Sequence, residues 1–170
     1  MAIILIFESY ANIGKCTNKV TSGYNQERHE QMTTHLKPPR VSEHEEQANF
    51  FSEVRLRFQR QEDFIPMLLF SVPNGMWLGG NNKFALMNKF KAEGLQPGVA
   101  DIIYLQPRGE YNCLAIEMKA IDKRNVKDAV SSEQTEFLEA VNGAGGLGEV
   151  CYGCDEAMMI FELYMSLEPG

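Results

Sequence analysis

The first clear hydrophobic period in the chain lies in residues 42–64, where apolar positions recur at the spacing of a helix. They fall on one helical face and comprise Phe50, Phe51, Val54 and Phe58. Ser42 is a candidate N-cap, and the acidic residues of the next turn suit the positive end of a helix dipole. We therefore predict a helix from Ser42 to Phe64, which Pro66 would follow.

Further along the chain, short apolar runs alternate with helical patterns. The runs predict strands at 67–72, 101–105, 113–119 and 149–154, the first of them short and buried. Helical spacing predicts helices at 84–93, from Ser131 or Ser132 through Val141, and at 155–167. This order predicts an α/β domain built on a small mixed sheet with flanking helices. Residues 11 to about 40 are polar and aperiodic, so we expect an irregular N-terminal extension over residues 1–40 and a domain at 41–170.

Length and charge narrow the class of protein. A chain of 170 residues suits one domain, and its net charge of −7 argues against general coating of nucleic acid. No apolar run approaches a membrane span, and the opening residues lack the pattern of a signal peptide, so we expect a cytoplasmic protein without a membrane partner.

The cysteines and the glycine-rich run carry weak signals. Four cysteines are too few for a disulfide scaffold, and one pair, Cys151 and Cys154, has the spacing of a metal or redox motif. Without a second pair, we favour structural thiols over zinc or redox chemistry. The run GAGGLG at 143–148 lacks the ending of a P-loop and precedes a strand, so we interpret it as a turn and expect no nucleotide cofactor.

The strongest chemical signal lies in the predicted hairpin of 101–105 and 113–119. Glu117 and Lys119 are two residues apart on a strand and point to the same side. A turn near 107–109 brings Asp101 opposite that pair. Buried charges of this kind are costly unless they bind each other or a metal, so the pattern indicates metal-assisted hydrolysis.

The alternative is that these three residues are exposed at strand ends and alternate by chance. Two features favour a site. The glycines and proline of 94–98 place a tight turn directly before Asp101. Both strands are too apolar to lie exposed at an edge of the sheet. The first helix adds an acid, Glu43, which shares a face with Gln47.

Several motifs in order extend this pattern: SEHEEQ (42–47), VPNG (72–75), KAEGLQPGVADIIYL (91–105), LAIEMK (114–119), SSEQTEFL (131–138) and VCYGCDEA (150–157). With them the chain resembles a VRR-NUC (virus-type replication-repair) nuclease of the PD-(D/E)XK phosphodiesterases, and most closely the stand-alone phage members. One departure is Ala100, which stands where the family usually has proline before the aspartate.

The resemblance implies a role for each matching residue. Asp101 and Glu117 would bind a divalent ion together with the backbone carbonyl of Met118, while Lys119 would orient or deprotonate the attacking water. Glu43 would reach a second ion, with Glu46 as the reserve candidate. In the third helix, Gln134 would brace the lysine or the water. Hard oxygen ligands suit one or two ions of Mg or Mn.

The function implied is a metal-dependent DNA endonuclease of replication or repair that cuts branched DNA, above all four-way (Holliday) junctions, as a homodimer. The alternatives are a non-catalytic DNA-binding or assembly module of the same fold, a flap nuclease and a sequence-specific nuclease.

Other residues are weaker DNA-binding candidates. Asn74 follows a turn proline and is better explained by the turn itself than by a DNA contact. A patch of lysines on the second helix would track the DNA backbone or form a solvated face, and consists of Lys83, Lys89 and Lys91. Trp77 and the N-terminal residues are candidates for junction or dimer contacts.

Overall fold

The computed structural model describes residues 41–73 and 83–170 of the chain. Helices in this part are α1 (Glu43–Phe58), α2 (Lys83–Ala92), α3 (Ser132–Gly143) and α4 (Cys154–Met165), with short 3-10 turns at Pro66–Leu68 and Ile121–Lys123. Strands are β1 (Leu69–Ser71), β2 (Ile102–Tyr104), β3 (Leu114–Lys119) and β4 (Leu147–Tyr152). The predicted α/β class with a small mixed sheet is confirmed. None of the helices in these two ranges has the length and apolar character needed to cross a membrane.

The four strands form one sheet in the order β1-β2-β3-β4. β1 and β2 are antiparallel, β2 and β3 form the predicted antiparallel hairpin, and β3 runs parallel to β4. Parallel neighbours need a crossover, which α3 provides between β3 and β4. Every residue of β3 is buried, so its polar side chains lie inside the protein.

Two hydrophobic layers cover the sheet. On one face, α1 and α4 meet in an aromatic cluster around Phe161, whose ring lies 5.1 Å from that of Phe58 and 5.4 Å from that of Tyr104. On the other face, α3 packs Leu138 against the small side chains of Ala100 and Ala115. The small residues let α3 approach closely and bring its first turn to the carboxyl end of β3.

Local signals set the helix starts as the sequence predicts. Ser42 caps α1 in a capping box with Glu45, and Ser131 caps α3 in a second box with Gln134. The end of α1 was predicted wrongly, since the helix stops at Phe58 and turns follow it. Phe64 is buried against the ring of Phe58 although it lies outside the helix.

Two strand predictions also need correction. β1 was expected to be buried, but it lies at an edge of the four-stranded sheet that the described residues form, and Phe70 is 40% exposed. The last strand begins at Leu147, so it includes the end of the glycine-rich run, and it stops at Tyr152. Cys154 then opens α4, whose N-cap is Gly153.

The hairpin turn contains a fully buried arginine. Arg108 pairs with Asp63 at 2.7 Å and also donates to the main-chain oxygens of Asp63 and Leu167. These bonds tie the end of α4 to the hairpin, at the opposite end of β3 from Glu117.

The turn before Asp101 depends on a glycine. Gly98 has a φ of +80°, and a Cβ there would lie 2.4 Å from the main chain of Glu133 at the start of α3. Gly94 is also in the left-handed region, at +101°, but a Cβ would meet nothing within 4 Å. A side chain at Gly94 would therefore add backbone strain alone, whereas a side chain at Gly98 would add both strain and a clash with α3.

We predict that Gly94→Ala lowers the free energy of unfolding by about 1 kcal/mol, the cost of strain alone. Gly98→Ala should cost at least about 2 kcal/mol more, because α3 must move away from the turn. Urea denaturation of both variants measures the difference. Equal losses would show that the turn does not set the position of α3.

Candidate active site

The hairpin register brings two carboxylates together at the end of β3. Ile102 pairs with Ile116, so Asp101 lies opposite Glu117 on the next pair of positions. The Oδ2 atom of Asp101 accepts a hydrogen bond of 2.9 Å from the main-chain N–H of Met118. This bond lies beyond Ile102 and Ile116, the last paired residues of the hairpin. It holds Asp101 beside the end of β3.

Glu117 is buried at the centre of this arrangement. Its Oε1 atom accepts a bond of 2.8 Å from Nζ of Lys119 and a second, close bond from Nε2 of Gln134. Both side chains of the ion pair are shielded from water, with exposures of 1% for Glu117 and 9% for Lys119. Its other oxygen, Oε2, is buried with no hydrogen-bond partner, which is a costly state for a carboxylate.

Burial raises the pKa of Glu117 to about 7. The hydrogen bond and charge of Lys119 oppose this rise, while the neighbouring carboxylate of Asp101 adds to it. The side chains around Glu117 therefore do not fully compensate the negative charge of its ionised form. A cation beside Oε2 would relieve both the burial and the repulsion.

The capping box of α3 holds Gln134 in place. Oε1 of Gln134 accepts from the N–H of Ser131 at 2.9 Å, which leaves its amide nitrogen to donate to Glu117. One side chain thus links the start of the helix to the buried carboxylate. The sequence prediction that Gln134 braces Lys119 or a water stays a prediction, since its direct partner here is Glu117.

The two acids of α1 have different positions. Glu43 is exposed, and its Oε1 atom lies 3.5 Å from the N–H of Ala120, the residue that follows Lys119. Glu46 is 5% exposed and accepts a bond of 2.8 Å from the N–H of Cys154 at the start of α4. Glu46 therefore caps α4, whose own N-cap is a glycine without a side chain. Of the two acids, only Glu43 is bonded to the end of β3.

The carbonyl of Met118 faces the same side as Asp101. The carbonyl of Lys119 accepts from Gly153 at 2.8 Å, on the β4 side of the strand. Because successive residues of a strand direct their main-chain groups to opposite neighbours, the Met118 carbonyl points towards β2. Its N–H confirms this direction by bonding Asp101.

The donors at this point fit a hard divalent ion that keeps several waters. They are two carboxylates and a carbonyl, all oxygen. Within residues 41–73 and 83–170, no three acidic, histidine or cysteine side chains are grouped closely enough to form a complete metal cage. Mg²⁺ commonly binds through one or two carboxylates with water in its other positions, so this set suits it.

The predicted DNA-contact residues are only partly within the described structure. Lys89 pairs with Glu93 at 3.7 Å, and Lys91 is exposed. Hydrogen bonds at the start of α3 lower the pKa of Glu133, and the charge of Lys91 adds to this effect. Asn74, Trp77 and the side chain of Lys83 lie outside the described residues.

The thiols at 151 and 154 lie at the junction of β4 and α4. Cys151 is buried, Cys154 is partly buried, and burial raises the pKa of both thiols. A raised pKa is the opposite of what a metal-binding or reactive thiolate needs.

Two residues next to the site gave no clear signal in the sequence. Tyr152 pairs with Lys119 across the parallel strands, and Arg124 lies over the Tyr152 ring. A stack between residues far apart in the chain leaves no local sequence pattern. The polar, lysine-rich connection after β3 was the one feature of the sequence that pointed to this region.

Comparison with known proteins agrees with this geometry. Residues 80–155 match the model of the VRR-NUC domain, a range that contains Asp101, Glu117, Lys119 and Gln134. This part of the chain is similar to the VRR-NUC domain. A domain of this kind implies a nuclease-type function. The resemblance to the VRR-NUC family is confirmed, while the stand-alone phage type stays a prediction.

A solved structure described as a VRR_NUC domain protein has the same fold, with a TM-score of 0.59. It is 22% identical in sequence, and the match covers 76% of this chain and 92% of that one. No curated protein matches the chain. The matched model begins after α1, so it leaves Glu43 and Glu46 outside the VRR-NUC range.

The raised pKa of Glu117 predicts a pH-dependent stability. Between about pH 4.5 and pH 7 the unfolded chain loses this proton while the folded protein keeps it, so the metal-free protein loses stability as pH rises. The loss approaches roughly 3 kcal/mol above about pH 7. Glu117→Gln lacks this term and keeps an oxygen for Lys119.

We expect the stability of Glu117→Gln, relative to the wild type in EDTA, to increase by up to roughly 3 kcal/mol from about pH 5 to pH 8. Urea unfolding at several pH values measures it, with the exposed Glu136→Gln on α3 as the control. Parallel profiles for wild type and Glu117→Gln would contradict the assignment.

Proposed function

We propose that this VRR-NUC domain is a divalent-metal-dependent endonuclease that hydrolyses phosphodiester bonds in branched DNA, with four-way junctions as the main substrate. The observation that carries the proposal is the buried Glu117 carboxylate, with one oxygen bonded by Lys119 and Gln134 and the other without a partner opposite Asp101.

Asp101, Glu117 and the carbonyl of Met118 would hold an Mg²⁺ or Mn²⁺ ion. Such an ion, when bound, lowers the pKa of water and stabilises the oxygens of an in-line displacement. Exposed Glu43, at the end of β3, would reach a second ion through water. Its long bond to Ala120 leaves the side chain free to change its partner.

Lys119 is positioned to act at the scissile phosphate. Its ammonium is held by Glu117 at the carboxyl end of β3, where it would orient the attacking water and offset the charge that grows on the phosphate. Gln134 would keep the Glu117 carboxylate in one orientation, because the capping box fixes the amide. Neither side chain needs to move into the site when substrate binds.

The preference for branched DNA, the homodimer and the phage type rest on the motif resemblance alone. Two active sites on one dimer would suit paired incisions in a junction. A non-catalytic module of this fold is disfavoured by the unpartnered oxygen of Glu117, which an inactive protein has no reason to keep buried.

Cleavage of labelled DNA tests the activity. With Mg²⁺ or Mn²⁺ we expect the wild type to cut four-way junctions faster than flaps, and flaps faster than linear duplex. Lys119→Ala should reduce the rate at least about 100-fold, because one charge-stabilising group is worth roughly that factor. The Glu136→Gln variant should retain activity. No metal-dependent cleavage of any substrate would contradict the enzyme function, and equal cutting of linear duplex would contradict its structural selectivity.

The two acids of α1 give a paired prediction. Glu43→Ala should slow cleavage while changing the free energy of unfolding by less than about 0.5 kcal/mol, since Glu43 is exposed. Glu46→Ala should destabilise the protein by about 1–3 kcal/mol, because it leaves the N–H of Cys154 unpaired. Thermal unfolding and cleavage rates measured on both variants check this division. The reverse pattern would make Glu46 the metal-binding acid.

A further inference from the structure

A basic side chain is stacked beside the proposed catalytic lysine. β4 ends at Tyr152, which is the register partner of Lys119, and partners on parallel strands direct their side chains to the same face. The guanidinium carbon of Arg124 lies 4.9 Å from the centre of the Tyr152 ring. Arg124 therefore contacts the ring of the residue that neighbours Lys119 across the sheet.

Glu156 holds this stack from the first turn of α4. One of its oxygens forms an ion pair with Nη2 of Arg124, and the other accepts a bond of 2.8 Å from the N–H of Tyr152. The three residues come from the connection after β3, the end of β4 and the start of α4. Together they fix the plane and the position of the guanidinium.

Arg124 has N–H groups that Glu156 does not bind. A guanidinium carries five N–H groups in a rigid fork that matches two phosphate oxygens, and Glu156 engages only Nη2. The Arg124 side chain is 46% exposed, so the remaining edge is open to solvent. The same connection carries Lys123 and Lys127 besides Asp122 and Asp128, so its three basic and two acidic side chains give a net charge of +1 in a chain of net charge −7.

We propose that Arg124 binds a backbone phosphate of the DNA next to the scissile one, with Tyr152 and Glu156 as the residues that position it. This inference rests on the proposed nuclease function and adds a contact that fixes the strand relative to Lys119. A phosphate contact of this kind aligns DNA without reading its sequence.

A purely structural function for the stack predicts a different result. If Arg124 served only to pin the connection, loss of either partner in the ion pair would have the same effect. If Arg124 binds phosphate, Glu156→Gln leaves the arginine on the Tyr152 ring and removes a negative charge near the DNA. Arg124→Ala and Glu156→Gln then act in opposite directions on DNA affinity.

The experiment measures the Kd of a labelled four-way junction in EDTA by fluorescence anisotropy, over a range of salt concentrations. We expect Arg124→Ala to weaken binding about five-fold or more and to reduce the salt-dependence slope by about one. Arg124→Lys should keep the slope. Glu156→Gln keeps an oxygen for Arg124 and loses a negative charge near the DNA, so it should bind more tightly than wild type.

The control is Arg60→Ala, which makes the same change in charge just beyond the far end of α1, about 24 Å from Glu43 along the helix. The proposal is overturned if Arg124→Ala matches Arg60→Ala, or if Arg124→Ala and Glu156→Gln weaken binding equally. These outcomes leave wild-type binding and cleavage intact. A wild type that neither binds nor cuts DNA overturns the proposed function, and the Arg124 contact with it.

Discussion

The buried carboxylate of Glu117 is the constraint on which the site depends. A charge on the central strand of a sheet is stable only when its surroundings compensate the loss of water. Lys119 and Gln134 both compensate a single oxygen, and the hairpin register places Asp101 where it adds repulsion rather than relief. The protein alone leaves this centre short of positive charge, which is the electrostatic condition of a metal site.

Three helices begin at the end of the sheet where this carboxylate lies. Glu43 is the first residue of α1 and reaches the end of β3, Gln134 lies in the first turn of α3, and Glu46 holds the start of α4. The positive ends of these helix dipoles therefore face the same region as Lys119. The same first turns carry acidic side chains, among them Glu43, Glu46 and Glu133, which offset part of this positive charge.

Much of this arrangement follows from local sequence. The two-residue spacing of Glu117 and Lys119, the turn before Asp101 and the serine caps of α1 and α3 each depend on neighbouring residues, so patterns of period and capping predict them. The end of α1 and the exposure of β1 do not follow in this way. Phe64 is apolar and buried although it lies beyond the end of the helix. Nothing in the composition of a short apolar run shows that it lies at an edge of the sheet.

Contacts between residues far apart in the chain could not be predicted from the sequence, for a related reason. Glu46 bonds Cys154, and Arg124 stacks on Tyr152, across separations that only the packed sheet and helices bring together. The motif resemblance ranked Glu43 above Glu46, and the packing now gives a physical reason for that order. The carboxylate of Glu46 already accepts a hydrogen bond from the first turn of α4.

The central claim is that the Glu117 carboxylate and Asp101 form a divalent-ion site, and Mn²⁺ binding measured by calorimetry tests it most directly. The account predicts binding by the wild type and by Glu136→Gln, and loss of at least about ten-fold in affinity in Asp101→Asn and in Glu117→Gln, since each removes one charged ligand. Wild-type affinity for Mn²⁺ in Glu117→Gln would contradict it.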